Sequence, residues 1–168
     1  MLATLLDTGL RVAEVCALQI GDLDARAGLL HVRRDKSAKP RMVRLPEGLL
    51  LRLRDYWKAE RPPGPWLFPA HRLLDPGRID PAQPWADRPL GPDAFRSLLH
   101  DVRRRTGLTR WVTPHDLRRT YATWLIEADV DLRVVQVQLS HESPETTTRY
   151  TAVRRELIRQ TPSPLSLL

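Results

Sequence analysis

The sequence predicts a mainly α-helical domain that carries one small antiparallel β-sheet, an α+β fold. Apolar residues recur at helical spacing through most of the chain, which is the pattern of helices that bury one face. Two short apolar runs, residues 28–34 and 40–46, flank a polar turn and indicate a β-hairpin. A chain of 168 residues is long enough for one domain with its own core.

Helices are predicted on both sides of the hairpin. Residues 2–9 read as the end of an apolar helix that Gly9 stops, because glycine is common just past a helix end. Residues 10–24 resume a helix, and residues 46–61 form the next one. These segments are expected to cover the hairpin and build most of the core.

The second half of the chain is also predicted to be helical after an irregular segment. Residues 61–92 contain nine of the fifteen prolines, so we expect an ordered but irregular surface loop there rather than a domain boundary. Helical patterns then cover residues 91–107, 113–128, 131–140, 143–150 and the start of the C-terminal tail.

The charge of the chain favours a polyanionic partner. The net charge is +7 and the isoelectric point about 10.4, which leaves nucleic acid, ribosomal and acidic-membrane partners open. Arginine supplies 24 of the 27 basic side chains. Its planar, permanently charged fork can donate two parallel hydrogen bonds to a phosphate, so the composition favours phosphate binding.

Several classes of protein are excluded by what the sequence lacks. Cys16 is the only cysteine, which rules out an intrachain disulfide and a cysteine-based zinc site and makes it a candidate core residue. The N-terminus has no basic region ahead of its apolar run, and no segment approaches the roughly 20 apolar residues of a membrane span. We therefore expect no membrane association and a cytoplasmic, nucleoid-associated location.

One helix start combines a histidine and an arginine. Thr113 and Pro114 are typical of an N-cap and a first helical position, and His115 and Arg118 follow three residues apart. A helix N-terminus is a favourable place for an anion. The core face of this helix is a separate apolar stripe of Leu117, Tyr121, Trp124 and Leu125. Taken alone, the pattern is more often a capped helix with exposed polar residues.

Two further basic positions are informative. Arg11 and Glu14 share a face at a helix start, which by itself describes a weak surface ion pair. Lys36 and Lys39 lie in the hairpin turn of a protein that otherwise uses arginine almost exclusively. Lysine can release a proton when its pKa is lowered and arginine cannot, so a lysine here is a candidate acid. Lys39 is interpreted as a solvated turn residue.

Tyr150 lies in the polar segment SHESPETTTRYT, nine positions after His141, where core packing explains a tyrosine poorly. Its hydroxyl becomes a nucleophile when neighbouring cations favour deprotonation. Arginines, histidines, a lysine and a tyrosine together can transfer a phosphoryl group without a metal. Asp22 and Asp24 read as capping or turn residues, so we expect neither a metal nor another cofactor.

The ordered strings TGLRVAEVCAL, PHDLRRTYAT and LSHESPETTTRY, with a basic hairpin between the first two, resemble the tyrosine recombinase (phage integrase) family over nearly the whole chain. The resemblance implies the mainly helical catalytic domain of that family, near its Xer-like or integron-integrase branches. The resemblance also implies the site residues. Arg11 and Arg118 would be the two phosphate-clamping arginines and Lys36 the hairpin lysine. His115 and His141 would be the two histidines, Tyr150 the nucleophile and Glu14 the supporting acidic residue.

The implied reaction is site-specific DNA strand exchange through a 3′-phosphotyrosyl intermediate, with double-stranded DNA and further copies of the chain as partners. Two alternatives remain open. The chain could be a DNA-binding remnant without catalysis, or a DNA relaxer that resembles type IB topoisomerases. A second histidine nine residues before the tyrosine favours the recombinase.

The chain departs from the family pattern at three places. Ser140 stands where the family commonly has glycine, and Arg119 stands where it often has histidine. The core-binding domain that precedes the catalytic domain in full-length members is not represented, so residues 1–168 are interpreted as a catalytic domain alone. The tail, residues 152–168, is expected to dock on a neighbouring subunit, with packing on its own chain as the alternative.

Overall fold

The computed structural model describes residues 1–33, 40–62, 64–71, 85–139 and 160–166. The predicted fold class is confirmed: within these ranges the chain is mostly helical with small antiparallel sheets. The helices are α1 (Leu2–Thr8), α2 (Val12–Cys16), α3 (Glu47–Glu60), α4 (Pro92–Arg105), α5 (Pro114–Glu127) and α6 (Leu132–Leu139). None of the helices in the described ranges is long and apolar enough to cross a bilayer.

The predicted hairpin is present and gains a third strand. Strands β1 (Leu23–Asp24), β2 (Leu29–Val32) and β3 (Arg41–Arg44) form an antiparallel sheet in that order. Leu30 pairs with Val43 in the register, and both side chains are buried. This face packs on the helices, so alternation along β2 and β3 sets which residues face the core.

The helix predicted over residues 10–24 is wrong beyond Cys16. The chain leaves α2 there and makes a 3-10 turn over Ile20–Asp22. The Asp22 carboxylate accepts a hydrogen bond of 2.8 Å from the Gln19 N–H and another from Arg33. Such local capping competes with helix continuation, and Asp22 therefore acts as the capping residue that the sequence indicated.

The irregular loop predicted over residues 61–92 is partly regular. Strands β4 (Pro69–His71) and β5 (Trp85–Pro89) form a second antiparallel sheet, in which Pro69 faces Pro89. A two-stranded sheet has only edge strands, where the missing proline N–H costs no central hydrogen bond. Leu67 and its neighbour Phe68 are buried, and the Leu67 N–H donates to the Leu18 carbonyl at 2.9 Å.

Two apolar clusters hold the described helices together. The larger one joins α1, α2, α3 and α4 to the three-stranded sheet, with Leu5, Leu10 and Phe95 fully buried. The smaller one lies between α5 and α6 and includes Tyr121 and Leu125. Of the apolar stripe predicted on α5, Tyr121 and Leu125 are buried and Leu117 packs against the larger cluster, whereas Trp124 is only half-buried. The predicted burial of Cys16 is confirmed.

Residues 160–166 pack against α1, α5 and α6 of the same chain. Gln138, which is fully buried, accepts from the Tyr121 hydroxyl at 2.8 Å and donates to the Thr161 hydroxyl at 2.9 Å. Ser163 donates to the carboxylate of buried Asp7. This is the packing on the same chain that the sequence left open, and exchange of the tail between subunits stays a prediction.

Deleting residues 160–168 is expected to lower the free energy of unfolding by about 1–3 kcal/mol, because two buried polar side chains lose hydrogen-bond partners. Urea unfolding followed by circular dichroism would measure the change. An unchanged midpoint would show that the segment adds nothing to the stability of the monomer.

Candidate active site

Arg11 and Glu14 meet where α1 turns into α2. Gly9 ends α1 in the left-handed conformation, with φ 61°, and Arg11 then becomes the N-cap of α2. The Glu14 carboxylate accepts the Arg11 N–H at 2.7 Å and lies 3.4 Å from the Arg11 guanidinium. The Arg11 side chain remains 43% exposed, so its charge is available to a ligand.

Arg118 reaches the same place from α5. Its Nη1 donates to the Gly9 carbonyl at 2.7 Å, and its Nη2 donates to the Leu139 carbonyl at the end of α6. The residue is only 8% exposed, whereas the sequence placed it together with His115 away from the core. The reason is tertiary, because two backbone carbonyls from different parts of the chain bind the guanidinium.

Burial lowers the pKa of Arg118 to about 10, and the positive charge of Arg11 adds to this effect. A group with that pKa still carries its charge near neutral pH. The two arginines therefore bring two positive charges to one small region, and one of them is held in a fixed direction. An anion such as a phosphodiester would relieve their mutual repulsion.

Glu14 is buried and is held by a residue that the sequence analysis missed. The Arg41 guanidinium on β3 forms a bidentate ion pair with it, with N–O distances of 2.8 and 3.0 Å. Burial alone would raise the pKa of Glu14, but the hydrogen bonds and charges of Arg41 and Arg11 lower the pKa overall. No signal in the sequence points to Arg41, because only the fold shows that Glu14 is buried and that Arg11 is too exposed to neutralise it alone.

His115 lies on the exposed first turn of α5, one turn before Arg118. The predicted N-cap is confirmed, since Thr113 and Asp116 form a capping box in which the Asp116 N–H donates to the Thr113 hydroxyl at 3.2 Å. Hydrogen bonds from Thr113 lower the pKa of Asp116. The cap orients the first turn and leaves the His115 ring open to solvent.

The structure thus brings together three of the predicted site residues, Arg11, Glu14 and Arg118, and places His115 one turn away. Lys36, His141 and Tyr150 lie outside the described residues, so their roles stay predictions. Within the described ranges, no group of three or more His, Cys, Asp or Glu side chains could hold a metal ion.

Substituting Gly9 by alanine should damage both fold and site. A Cβ at this position would lie 2.3 Å from a ring carbon of Tyr121, and the backbone has the positive φ that disfavours alanine. We expect a loss of roughly 2–5 kcal/mol in the free energy of unfolding from strain and overpacking together. Chemical unfolding would measure it.

Gly28→Ala is the matched control for this prediction. Gly28 also has a positive φ, of 64°, but a Cβ there would meet only the Leu45 carbonyl oxygen at 3.9 Å. Only the backbone cost of about 1–2 kcal/mol should therefore remain. Equal losses for the two variants would show that the contact between Gly9 and Tyr121 is unimportant.

Comparison with known proteins agrees with this fold. The model of the phage integrase family matches residues 1–156, and the chain belongs to that family. The tyrosine recombinase XerA of Pyrococcus furiosus is 32% identical over 161 residues, which cover 96% of this chain and 52% of the relative. A putative integrase/recombinase of Sinorhizobium fredii is 34% identical over 168 residues, covering all of this chain and 50% of its own length.

Solved structures show the same architecture. The crystal structure of XerA recombinase superimposes with a TM-score of 0.69 and 28% identity, covering 93% of this chain and 52% of that one. XerH recombinase bound to its difH substrate superimposes with a TM-score of 0.64 and 25% identity, covering 92% of this chain and 42% of the XerH chain. The chain therefore spans about half the length of the relatives it matches.

Proposed function

We propose that this chain is the catalytic domain of a site-specific DNA recombinase that cleaves and rejoins DNA through a 3′-phosphotyrosyl intermediate. The observation that carries the proposal is the convergence of Arg11 and Arg118 beside Glu14, from segments more than a hundred residues apart, in a member of the phage integrase family. Surface ion pairing alone does not explain a buried arginine on α5 that binds carbonyls at the ends of two other helices, α1 and α6.

The arginines are assigned to the phosphate. The exposed fork of Arg11 can donate to the non-bridging oxygens of a scissile phosphodiester, and the charge of Arg118 adds to the field there. Charge develops on these oxygens when a nucleophile attacks. Donors that are already oriented stabilise that charge without reorganising, which is the main way a protein accelerates such a step.

The remaining steps require a nucleophile and proton carriers. In the proposal the Tyr150 hydroxyl gives its proton to His115 as its oxygen attacks phosphorus, the bond to the 5′ oxygen breaks, and Lys36 gives that oxygen a proton. His115 and His141 assist proton transfer and donate to the phosphate. The 5′ hydroxyl of another strand then attacks the phosphotyrosine, releases Tyr150 and reseals the DNA, without a metal or other cofactor in the proposed scheme.

Double-stranded DNA is the proposed partner. The net charge of +7 suits a polyanion, and XerH recombinase, which shares this architecture, was solved bound to its difH substrate. Strand exchange needs two duplexes, so assembly of several copies on DNA is part of the proposal. So is a cytoplasmic, nucleoid-associated location.

A covalent-adduct assay tests the proposed function. A duplex with a nick close to the cleavage point loses the short 5′-hydroxyl fragment after attack, which traps the protein on the DNA. We expect a band that resists SDS and disappears on protease treatment. A chain that binds the duplex without such a band would be a DNA-binding remnant.

Supercoiled plasmid separates the recombinase from a topoisomerase-like enzyme. The recombinase should act at a limited set of sequences and leave plasmids that lack them supercoiled. Efficient relaxation of any plasmid, without preference for a sequence, would favour the relaxer instead.

A further inference from the structure

Arg41 is the most fully engaged arginine near the proposed site. Its side chain is 8% exposed, and its two terminal nitrogens form the bidentate pair with Glu14. Its Nε donates to the Gln138 carbonyl at 3.0 Å. The two hydrogen-bonding edges of the guanidinium therefore hold two different elements, the start of α2 and the end of α6.

The last turn of α6 is bound by both buried arginines. Arg41 binds the carbonyl of Gln138, and Arg118 binds the carbonyl of the next residue, Leu139. The final carbonyls of a helix have no partner within the helix, and positive charge is favourable there. The two guanidiniums therefore complete this helix end, two residues before His141 in the sequence.

We propose that Arg41 is a positioning residue for the cleavage reaction. Its side chain links Arg11 and Glu14 to the end of α6. This inference rests on the proposed function. Glu14 binds both Arg11 and Arg41, and Arg41 binds the turn that also holds Arg118. A displacement of Arg41 would therefore disturb both phosphate-binding arginines. Being buried, Arg41 acts through these neighbours rather than on the DNA itself.

Lysine cannot replace arginine in this role. Its single ammonium could stay near Glu14 and neutralise the carboxylate, but it lacks the second edge that reaches the Gln138 carbonyl. Methionine would remove the charge and leave a buried carboxylate with only the exposed Arg11 and the more distant Arg118 to balance it. Comparing the two substitutions separates the charge of Arg41 from its bridging geometry.

The experiment measures single-turnover adduct formation and DNA affinity on the same nicked duplex, as a function of pH. The variants are Arg41→Lys, Arg41→Met and the double variant Glu14→Gln/Arg41→Met, in which no buried charge is left unpaired. Arg33→Met is the matched control, because Arg33, which directly follows β2, also pairs with a buried carboxylate, that of Asp22, at 2.6 Å. Circular dichroism checks that each variant is folded.

We expect Arg41→Met to form adducts about 100-fold more slowly, as a misplaced catalytic group does, with little change in DNA affinity. As the pH is lowered, the rate of Arg41→Met should also begin to fall at a higher pH than the rate of the parent. The direction of this shift follows from Glu14, because Arg41 and Arg11 lower the pKa of its carboxylate. Without Arg41 that pKa rises, so lowering the pH protonates the carboxylate sooner and releases its hold on Arg11.

Arg41→Lys should restore the parent pH profile and only part of the rate, because it keeps the charge and loses the bridge. In the double variant residue 14 cannot be protonated, so its rate should not show the fall at higher pH that Arg41→Met shows. The double variant should nevertheless remain slow. Arg33→Met should keep the parent rate. If Arg41→Met fails to fold, the lysine and double variants still carry the test.

The inference is overturned if Arg41→Lys and the double variant form adducts at the rate of the parent. It is also overturned if Arg33→Met loses as much rate as Arg41→Met. Both outcomes leave the proposed function intact. A loss that DNA affinity accounts for entirely also overturns the inference. Failure of the parent chain to form any adduct overturns the proposed function, which distinguishes the two results.

Discussion

Tyr150→Phe is expected to abolish covalent attachment to DNA while leaving folding and DNA affinity unchanged. The substitution removes one hydroxyl oxygen from a segment with almost no apolar residues, so little packing depends on it. Without that oxygen no phosphotyrosyl bond can form. The adduct assay should show at least a 10³-fold loss, the scale on which an essential nucleophile is usually seen.

The other two tyrosines provide the controls. Tyr56 packs against Phe68, with ring centroids 5.8 Å apart, and Tyr56→Phe should form adducts at the parent rate. Tyr121 is fully buried, and burial raises the pKa of its hydroxyl, so it is a poor nucleophile. An SDS-resistant complex formed by Tyr150→Phe would show that the nucleophile has been assigned to the wrong residue.

Lys36→Arg is expected to bind DNA as the parent does and to cleave it roughly 10²- to 10⁴-fold more slowly, the range of general acid catalysis. The departing 5′ alkoxide is a poor leaving group that gains greatly from a proton in the transition state. Arginine keeps the positive charge but cannot release a proton near neutral pH. Single-turnover cleavage of the nicked duplex measures the effect.

A substrate with sulfur in place of the bridging 5′ oxygen identifies the proton donor. A thiolate leaves without protonation, so this substrate should restore cleavage by Lys36→Arg. It should not rescue Arg118→Ala, whose loss lies in charge stabilisation and in the free carbonyls of Gly9 and Leu139. Lys39→Arg is the internal control and should cleave the ordinary duplex normally. If sulfur leaves Lys36→Arg slow, Lys36 is not the acid.

The parts of the fold that depend on local chemistry could be predicted from the sequence. Gly9 ends α1 because its left-handed backbone needs glycine, and Thr113 begins α5 because its hydroxyl caps the helix. The hairpin followed from two apolar runs around a polar turn. Each of these features is decided by contacts within a few residues, which a sequence shows directly.

The features that were missed depend on contacts between distant residues. The strands around Pro69 and Pro89 pair across a segment whose prolines argue locally against strands. Just after α2 stops, the chain bonds to distant residues instead: the Ile20 N–H donates to the Pro65 carbonyl, and the Leu18 carbonyl accepts from the Leu67 N–H, both at 2.9 Å. Neither outcome can be read from propensity, since tertiary partners override it.

The same distinction holds for the site. The motif around Arg118 predicted a phosphate-binding residue, but its burial depends on carbonyls at Gly9 and Leu139 that are far away in sequence. Arg41 was missed because the chain holds 24 arginines and spacing does not distinguish one inside a strand. Only the fold shows that it meets Glu14.

Mapping the covalent bond shows directly whether Tyr150 is the nucleophile. The parent chain is incubated with a nicked duplex that carries a different label at each end, and the adduct is digested and sequenced by mass spectrometry. We expect one modified peptide, with Tyr150 joined to the 3′ phosphate and a free 5′ hydroxyl on the released fragment. A bond at another residue, or one to the 5′ end of the break, would contradict it.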